Sequence, residues 1–180
     1  MLIQEIKHLI NHQQLASLEL SDSDMTELTG FFLSATDNLV TMQKIGNDGG
    51  SEGFTLFEPE LISELYWNNR EHLCIQALAH QKSRVTPVLF KADHFQDAII
   101  ELSSRYHSIG LYSLDDSDNF EIAQVIDHDD EWLKLKCSGT LKTLSPMMKL
   151  MRRNHICRIE FGSSYLKDLA QLHKHRDDFR

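Results

Sequence analysis

The feature that most restricts this chain is that it repeats itself. The segment Leu18-Glu19-Leu20-Ser21-Asp22-Ser23-Asp24-Met25-Thr26-Glu27-Leu28 aligns with Tyr112-Ser113-Leu114-Asp115-Asp116-Ser117-Asp118-Asn119-Phe120-Glu121-Ile122, 94 residues further on. Asp37-Asn38-Leu39-Val40-Thr41-Met42 aligns with Asp130-Glu131-Trp132-Leu133-Lys134-Leu135 at 93, and both runs lead to a glycine, Gly46 and Gly139. Ile62-Ser63-Glu64-Leu65-Tyr66-Trp67 aligns with Ile156-Cys157-Arg158-Ile159-Glu160-Phe161 at 94 again. A one-residue slip is a change of loop length. Three stretches that agree in order and spacing describe a duplicated supersecondary unit. The expected division is 1–84 and 88–180.

Within the first unit, Leu2, Ile6, Leu9 and Ile10 recur at helical spacing, which predicts a short amphipathic helix over 2–12. Alternation then predicts a strand over 15–20, stopped by the turn formers Ser21-Asp22-Ser23-Asp24, and a second strand from Glu27 to Ala35. Asp37-Asn38 turns the chain into Leu39 to Ile45, and Gly46-Asn47-Asp48-Gly49-Gly50 breaks that pairing before a strand from Gly53 to Phe57. Pro59 stops that strand, Leu61 to Trp67 makes the fifth, and Glu71 to His80 resumes helical spacing. The second unit repeats this order: a helix around Phe95 to Leu102, strands at Ile109–Leu114, Phe120–Ile126, Trp132–Cys137 and His155–Phe161, and a helix through Tyr165, Leu166, Leu169 and Leu172. Residues 140–152 carry no decisive period. Five short strands cannot bury an apolar face as a flat sheet, so each unit is expected to curl, bending most easily at Gly30.

The order of a helix and five strands, with Leu28-Thr29-Gly30-Phe31-Phe32-Leu33 followed by Asp37-Asn38-Leu39-Val40, resembles the first signature of Sm-like barrels. Ile156-Cys157-Arg158-Ile159-Glu160-Phe161-Gly162 is similar in position to their second. The second unit also resembles bacterial proteins built of Sm- or SH3-like barrels. The resemblance implies a mainly β (α+β) fold of two tandem five-stranded Sm-like/SH3-like barrels, each preceded by a short helix, packing through their helices. In Sm-like proteins the corresponding loops bind RNA bases. Here the closing segment lacks an Arg-Gly pair, and the second unit has no glycine at the place of Gly30.

Composition narrows the function. With 18 Lys+Arg against 27 Asp+Glu, the net charge of −9 repels a polyanion at long range, so DNA is not an expected partner. Cys74, Cys137 and Cys157 form no C-x-x-C pair, which fits a reducing, cytoplasmic setting. No stretch has the roughly 20 apolar residues needed to cross a bilayer, so no membrane partner is expected. Neither a phosphate loop nor a spaced nucleophile and base can be named, so no catalytic residue, cofactor or enzyme activity is expected. His173, His175, Asp177 and Asp178 are more economically a helix terminus than a metal site, and Asp127-His128-Asp129-Asp130 lacks the distal glutamate of a calcium loop. Lys142, Lys149, Arg152, Arg153, His155 and Arg158 form the basic concentration in an acidic chain, suited to RNA or to an acidic protein. Tyr66 and Trp67 are either core or an exposed anchor. The expectation is a binding or adaptor module of unknown oligomeric state, recruiting a protein by strand addition, with RNA as the alternative.

Overall fold

A computed structural model of the chain describes residues 1–21, 27–82, 88, 90–114, 116–138 and 147–174, without the side chains of 116–120 and 172–174. The elements run α1 (Leu2–His12), β1 (Leu15–Leu20), β2 (Glu27–Ala35), β3 (Val40–Ile45), β4 (Ser51–Phe57), β5 (Ile62–Trp67) and α2 (Arg70–Lys82). They continue as α3 (Phe95–Arg105), β6 (Ile109–Ser113), β7 (Asp116–His128), β8 (Trp132–Cys137), β9 (Met147–Arg152), β10 (Ile156–Phe161) and α4 (Ser164–Lys174). The protein is mainly β. No helix among the described residues is long and apolar enough to cross a membrane.

The ten strands form one open antiparallel sheet in the order β5-β1-β2-β3-β4-β10-β6-β7-β8-β9. Each half contributes the same order, with its last strand beside its first. The local geometry recurs at the sequence offset as well. A single 3₁₀ turn precedes β5 at Pro59–Leu61 and β10 at Arg153–His155. The ladder slips once between Ile62 and Glu64 and again between Ile156 and Arg158. Thr36 Oγ1 accepts the amides of Asn38 and Leu39 at 3.2 and 3.0 Å, while Asp129 Oδ1 accepts those of Glu131 and Trp132 at 2.8 and 2.7 Å. Such side-chain mimicry of a turn explains why short polar residues stand before both hairpins. Asn69 Oδ1 and Ser163 Oγ accept amides in the first turns of α2 and α4, the usual way of satisfying an orphaned helix N-terminus.

Sequence reading expects two barrels that meet through their helices; the structure joins the halves through strands. β4 and β10 pair over Phe57↔Arg158, Leu56↔Ile159, Thr55↔Glu160 and Phe54↔Phe161. No strand pairing among the described residues closes either half, so two separate barrels are not what the sheet displays. The physical reason is that the outer strand of one unit and the outer strand of the next each present unpaired backbone groups, and pairing satisfies both rows. The register also separates two cores. Adjacent residues of a strand point to opposite faces, so Phe57 joins Val40, Met42, Phe32 and the α1 residues Ile6 and Leu9 on one face. Leu56 joins Ile159, Leu111 and the α3 residues Phe95, Ile99 and Leu102 on the other. A residue of the first half thus belongs to the core of the second. Close approach is visible at two glycines: a Cβ on Gly30 would stand 2.0 Å from the Gln43 carbonyl oxygen, and one on Gly53 (φ +97°) 2.7 Å from the Ser163 nitrogen.

Candidate functional site

Strand β9 ends the sheet, and the stretch that periodicity left unassigned is where the surface chemistry concentrates. The run Trp132-Leu133-Lys134-Leu135-Lys136-Cys137 alternates strictly, so Leu133, Leu135 and Cys137 turn into the second core and Trp132, Lys134 and Lys136 turn outward. The register sets Arg152, Leu150 and Met148 of β9 directly opposite Trp132, Lys134 and Lys136 on that outer face. Leu150 is 63% exposed, Met148 53% and Met147 56%. Met148 and Leu150, neighbours on the outer face of the strand, form an apolar patch there, while Met147 turns to the other face opposite Cys137. The Arg152 guanidinium lies 4.7 Å from the Trp132 ring centroid and 3.9 Å from a Glu131 carboxylate oxygen. Beside it, Ser113, Trp132, Leu150 and His155 help line an open pocket of roughly 330 Å³.

The basic residues singled out from sequence come together only in part: Lys149, Arg152 and His155 line that pocket, whereas Arg153 and Arg158 do not. Lys149 lies on the core side of β9 and pairs with Glu121 at 2.5 Å. Arg153 turns away, donating to the Gln96 carbonyl at 2.9 Å and the Asp129 carbonyl at 3.1 Å, with Asp97 at 3.7 Å. Arg158 is the clearest departure, because it is 1% exposed and lies in the middle of the sheet with its guanidinium 3.7 Å from the Tyr112 ring centroid. Lys142 falls outside the described residues, as do His175, Asp177 and Asp178, and the His173 side chain. Tyr66 and Trp67 lie on β5, at the far edge from β9, and are half-buried; Trp67 packs on the first core. Burial, and then its hydrogen bond to Glu27, pushes the Tyr66 hydroxyl up to about 12. Arg152 is therefore the residue of that set on the outer face of β9. Trp132, Lys134, Lys136, Met147, Met148 and Leu150 are the site residues that the sequence reading missed. The alternating lysines of β8 were their visible signal.

No protein-family model matches this chain, and no curated protein or solved structure matches it either. The site is known by its geometry alone.

Two other polar groupings carry less. Ser17 Oγ lies 2.9 Å from His72 Nε2 and 2.6 Å from Thr29 Oγ1, which in turn donates to Glu27 at 3.3 Å. This pairing of a hydroxyl with an imidazole was not foreseen, but Ser17 is 0% and His72 3% exposed, and the network ties α2 to β1 and β2. Burial pushes the His72 imidazole down, against the pull of Glu27 and Glu71. The Glu27 carboxyl is raised by burial yet held below its ordinary value by hydrogen bonds from Ser17, Tyr66 and Thr29. Among the described residues no group of three or more His, Cys, Asp and Glu converges as metal ligands would. In the acidic turn, Asp129 spends its carboxylate on the amides of Trp132 and Glu131, which lower its pKa.

Proposed function

We propose that this chain is a non-enzymatic binding module, built of two tandem Sm-like or SH3-like units, that recruits a protein by adding an extended segment of it to the β9 edge. One observation carries the proposal. Leu56 of β4 is fully buried in a core that includes Ile159 and Phe161 of β10 and Phe95, Ile99 and Leu102 of α3, whereas Leu150, which occupies the matching place on β9, is 63% exposed on an outer strand. The two halves share one strand order, which supports the tandem-unit description. An outer strand row that carries apolar side chains and has no pairing partner among the described residues is the surface that strand addition uses, main-chain hydrogen bonds giving affinity and alternate side chains giving selectivity. The burial of Arg158 and the engagement of Arg153 with the Gln96 and Asp129 carbonyls favour this over RNA, the alternative use of the basic stretch.

The test is affinity capture from lysate with the intact chain and with a Leu150→Lys variant, each with and without ribonuclease. A protein that survives ribonuclease and is lost from the variant is the expected result. Capture that disappears with ribonuclease, or that ignores the variant, would refute the proposal.

A further inference from the structure

We infer that the segment added to β9 is an acidic one: an extended strand with apolar side chains opposite Met148 and Leu150 and a carboxylate opposite Arg152, on the face that Lys134 and Lys136 share. This rests on the reading of β9 as a strand-addition edge and names the chemistry of its ligand. The junction between the halves supplies the template, because it shows what a β4-type edge accepts. There β10 sets Ile159 opposite Leu56 and Phe161 opposite Phe54. Leu150 and Met148 stand in the places of Leu56 and Phe54, so the apolar half of the pattern is retained.

The polar half is rewritten. Where the outer face of the first half has Thr41, Gln43 and Glu58, that of the second has Lys134, Lys136 and Arg152. Three positions on one face become cationic in a chain of net charge −9. Thr41 and Gln43 are 0% and 3% exposed, while Lys134 and Lys136 are exposed and, among the described residues, have no carboxylate within ion-pair distance. Opposite charges on facing strands attract, and like charges repel, so this edge selects acids and rejects bases.

A second copy of the chain fits less well than a free segment. In the junction, β10 leads into Gly162 and Ser163, and only a glycine at position 53 leaves room for the Ser163 backbone. Met147 holds the matching place on β9, and β5 of another copy would lead into Asn68 and Asn69 just as β10 leads into Gly162 and Ser163. Met147 thus carries a side chain where the junction has none, and it is not among the positive-φ residues as Gly53 is. A strand that ends or turns away opposite Met148 does not meet that side chain.

The probe is a short acetylated, fluorescently labelled peptide with isoleucine and phenylalanine opposite Leu150 and Met148 and with aspartate opposite Arg152, titrated into the intact chain by anisotropy. Replacing that aspartate by asparagine is expected to weaken binding about fivefold at low salt, the size of one cross-strand charge pair. A Lys134→Glu/Lys136→Glu chain is expected to reduce that preference, and a Leu150→Lys chain to reduce affinity for both peptides. Equal binding of the acid and amide peptides overturns the charge inference and leaves strand addition standing. Failure of both peptides to bind overturns the two together. Displacement of the peptide by an oligouridylate assigns the edge to RNA, and concentration-dependent self-association abolished by Leu150→Lys assigns it to a second copy; either result overturns the inference.

Discussion

Leu56 and Leu150 occupy matching places in the two halves, and truncating each to alanine separates what the sheet does from what its edge does. Leu56 is 0% exposed and packs among Ile99, Leu102, Ile159 and Phe161, residues of the second half. Removing a buried leucine side chain loses its transfer free energy and leaves a cavity, together about 3 kcal/mol at such a site. For a chain of this length each kcal/mol moves the midpoint by roughly 2–4 °C, so Leu56→Ala should melt about 6–12 °C lower. Leu150→Ala, at an exposed position, should stay within about 0.5 kcal/mol of the parent. The two tryptophans make the comparison sharper, since Trp67 lies in β5 of the first half and Trp132 in β8 of the second. Variants retaining one tryptophan each, unfolded in urea, report the halves separately. Although Leu56 belongs to a strand of the first half, its loss should shift the Trp132 transition by at least as much as the Trp67 transition. A Trp132 midpoint that stays in place would refute the idea that β4 completes the second core.

Other outcomes follow from particular contacts. Gly30→Ala should cost about 3 kcal/mol, because the added Cβ meets a backbone carbonyl that cannot rotate away; a urea midpoint close to the parent's would contradict the close packing of β2 on β3. Because burial lowers the His72 pKa below its ordinary 6.5, the unfolded chain takes up that proton more readily, so stability should be complete above about pH 7 and fall as pH drops through 6.5. His72→Gln should flatten that part of the profile while leaving the further loss below about pH 4.5 that the lowered Glu27 and Asp129 carboxyls produce. Of the three thiols, Cys74 is exposed whereas Cys137 and Cys157 are buried, and burial together with Glu121 pushes Cys137 up to about 11. Brief alkylation of the native chain should therefore add one label by mass spectrometry and denaturation should add the other two; three labels in the native state would contradict the burial.

Much of the architecture is legible in the residues themselves. Spacing alone locates α1, β1, β2, β6, β8 and β10 to within a residue, because a helical stripe and a strand alternation are local properties of the chain. The repeat at 93 to 94 residues anticipates the recurrence of turns and bulges, since the same short polar side chains recreate the same backbone hydrogen bonds wherever they stand. Local patterns do not reveal which strands end up outside. Residues 147–152 have no strong period because an outer strand with both faces partly wetted is not constrained to alternate, so β9 was left without an assignment and its Met148 and Leu150 without a role.

Charge is read even less directly from sequence, because ionic side chains cluster by folding rather than by proximity along the chain. Arg152, Arg153 and Arg158 stand within seven residues, yet one rests on Trp132, one is pinned to α3 and the acidic turn, and one is buried against Tyr112. The sequence by itself determined the unit, its repetition and the faces of its strands, all of which depend on near neighbours. Only the tertiary structure decided that β10 lies against β4, which places Leu56 in the far core, leaves Leu150 exposed on the last strand and gathers Lys134, Lys136 and Arg152 around it. That choice depends on pairing between strands about a hundred residues apart in sequence, where complementarity of backbone edges, not local propensity, sets the outcome.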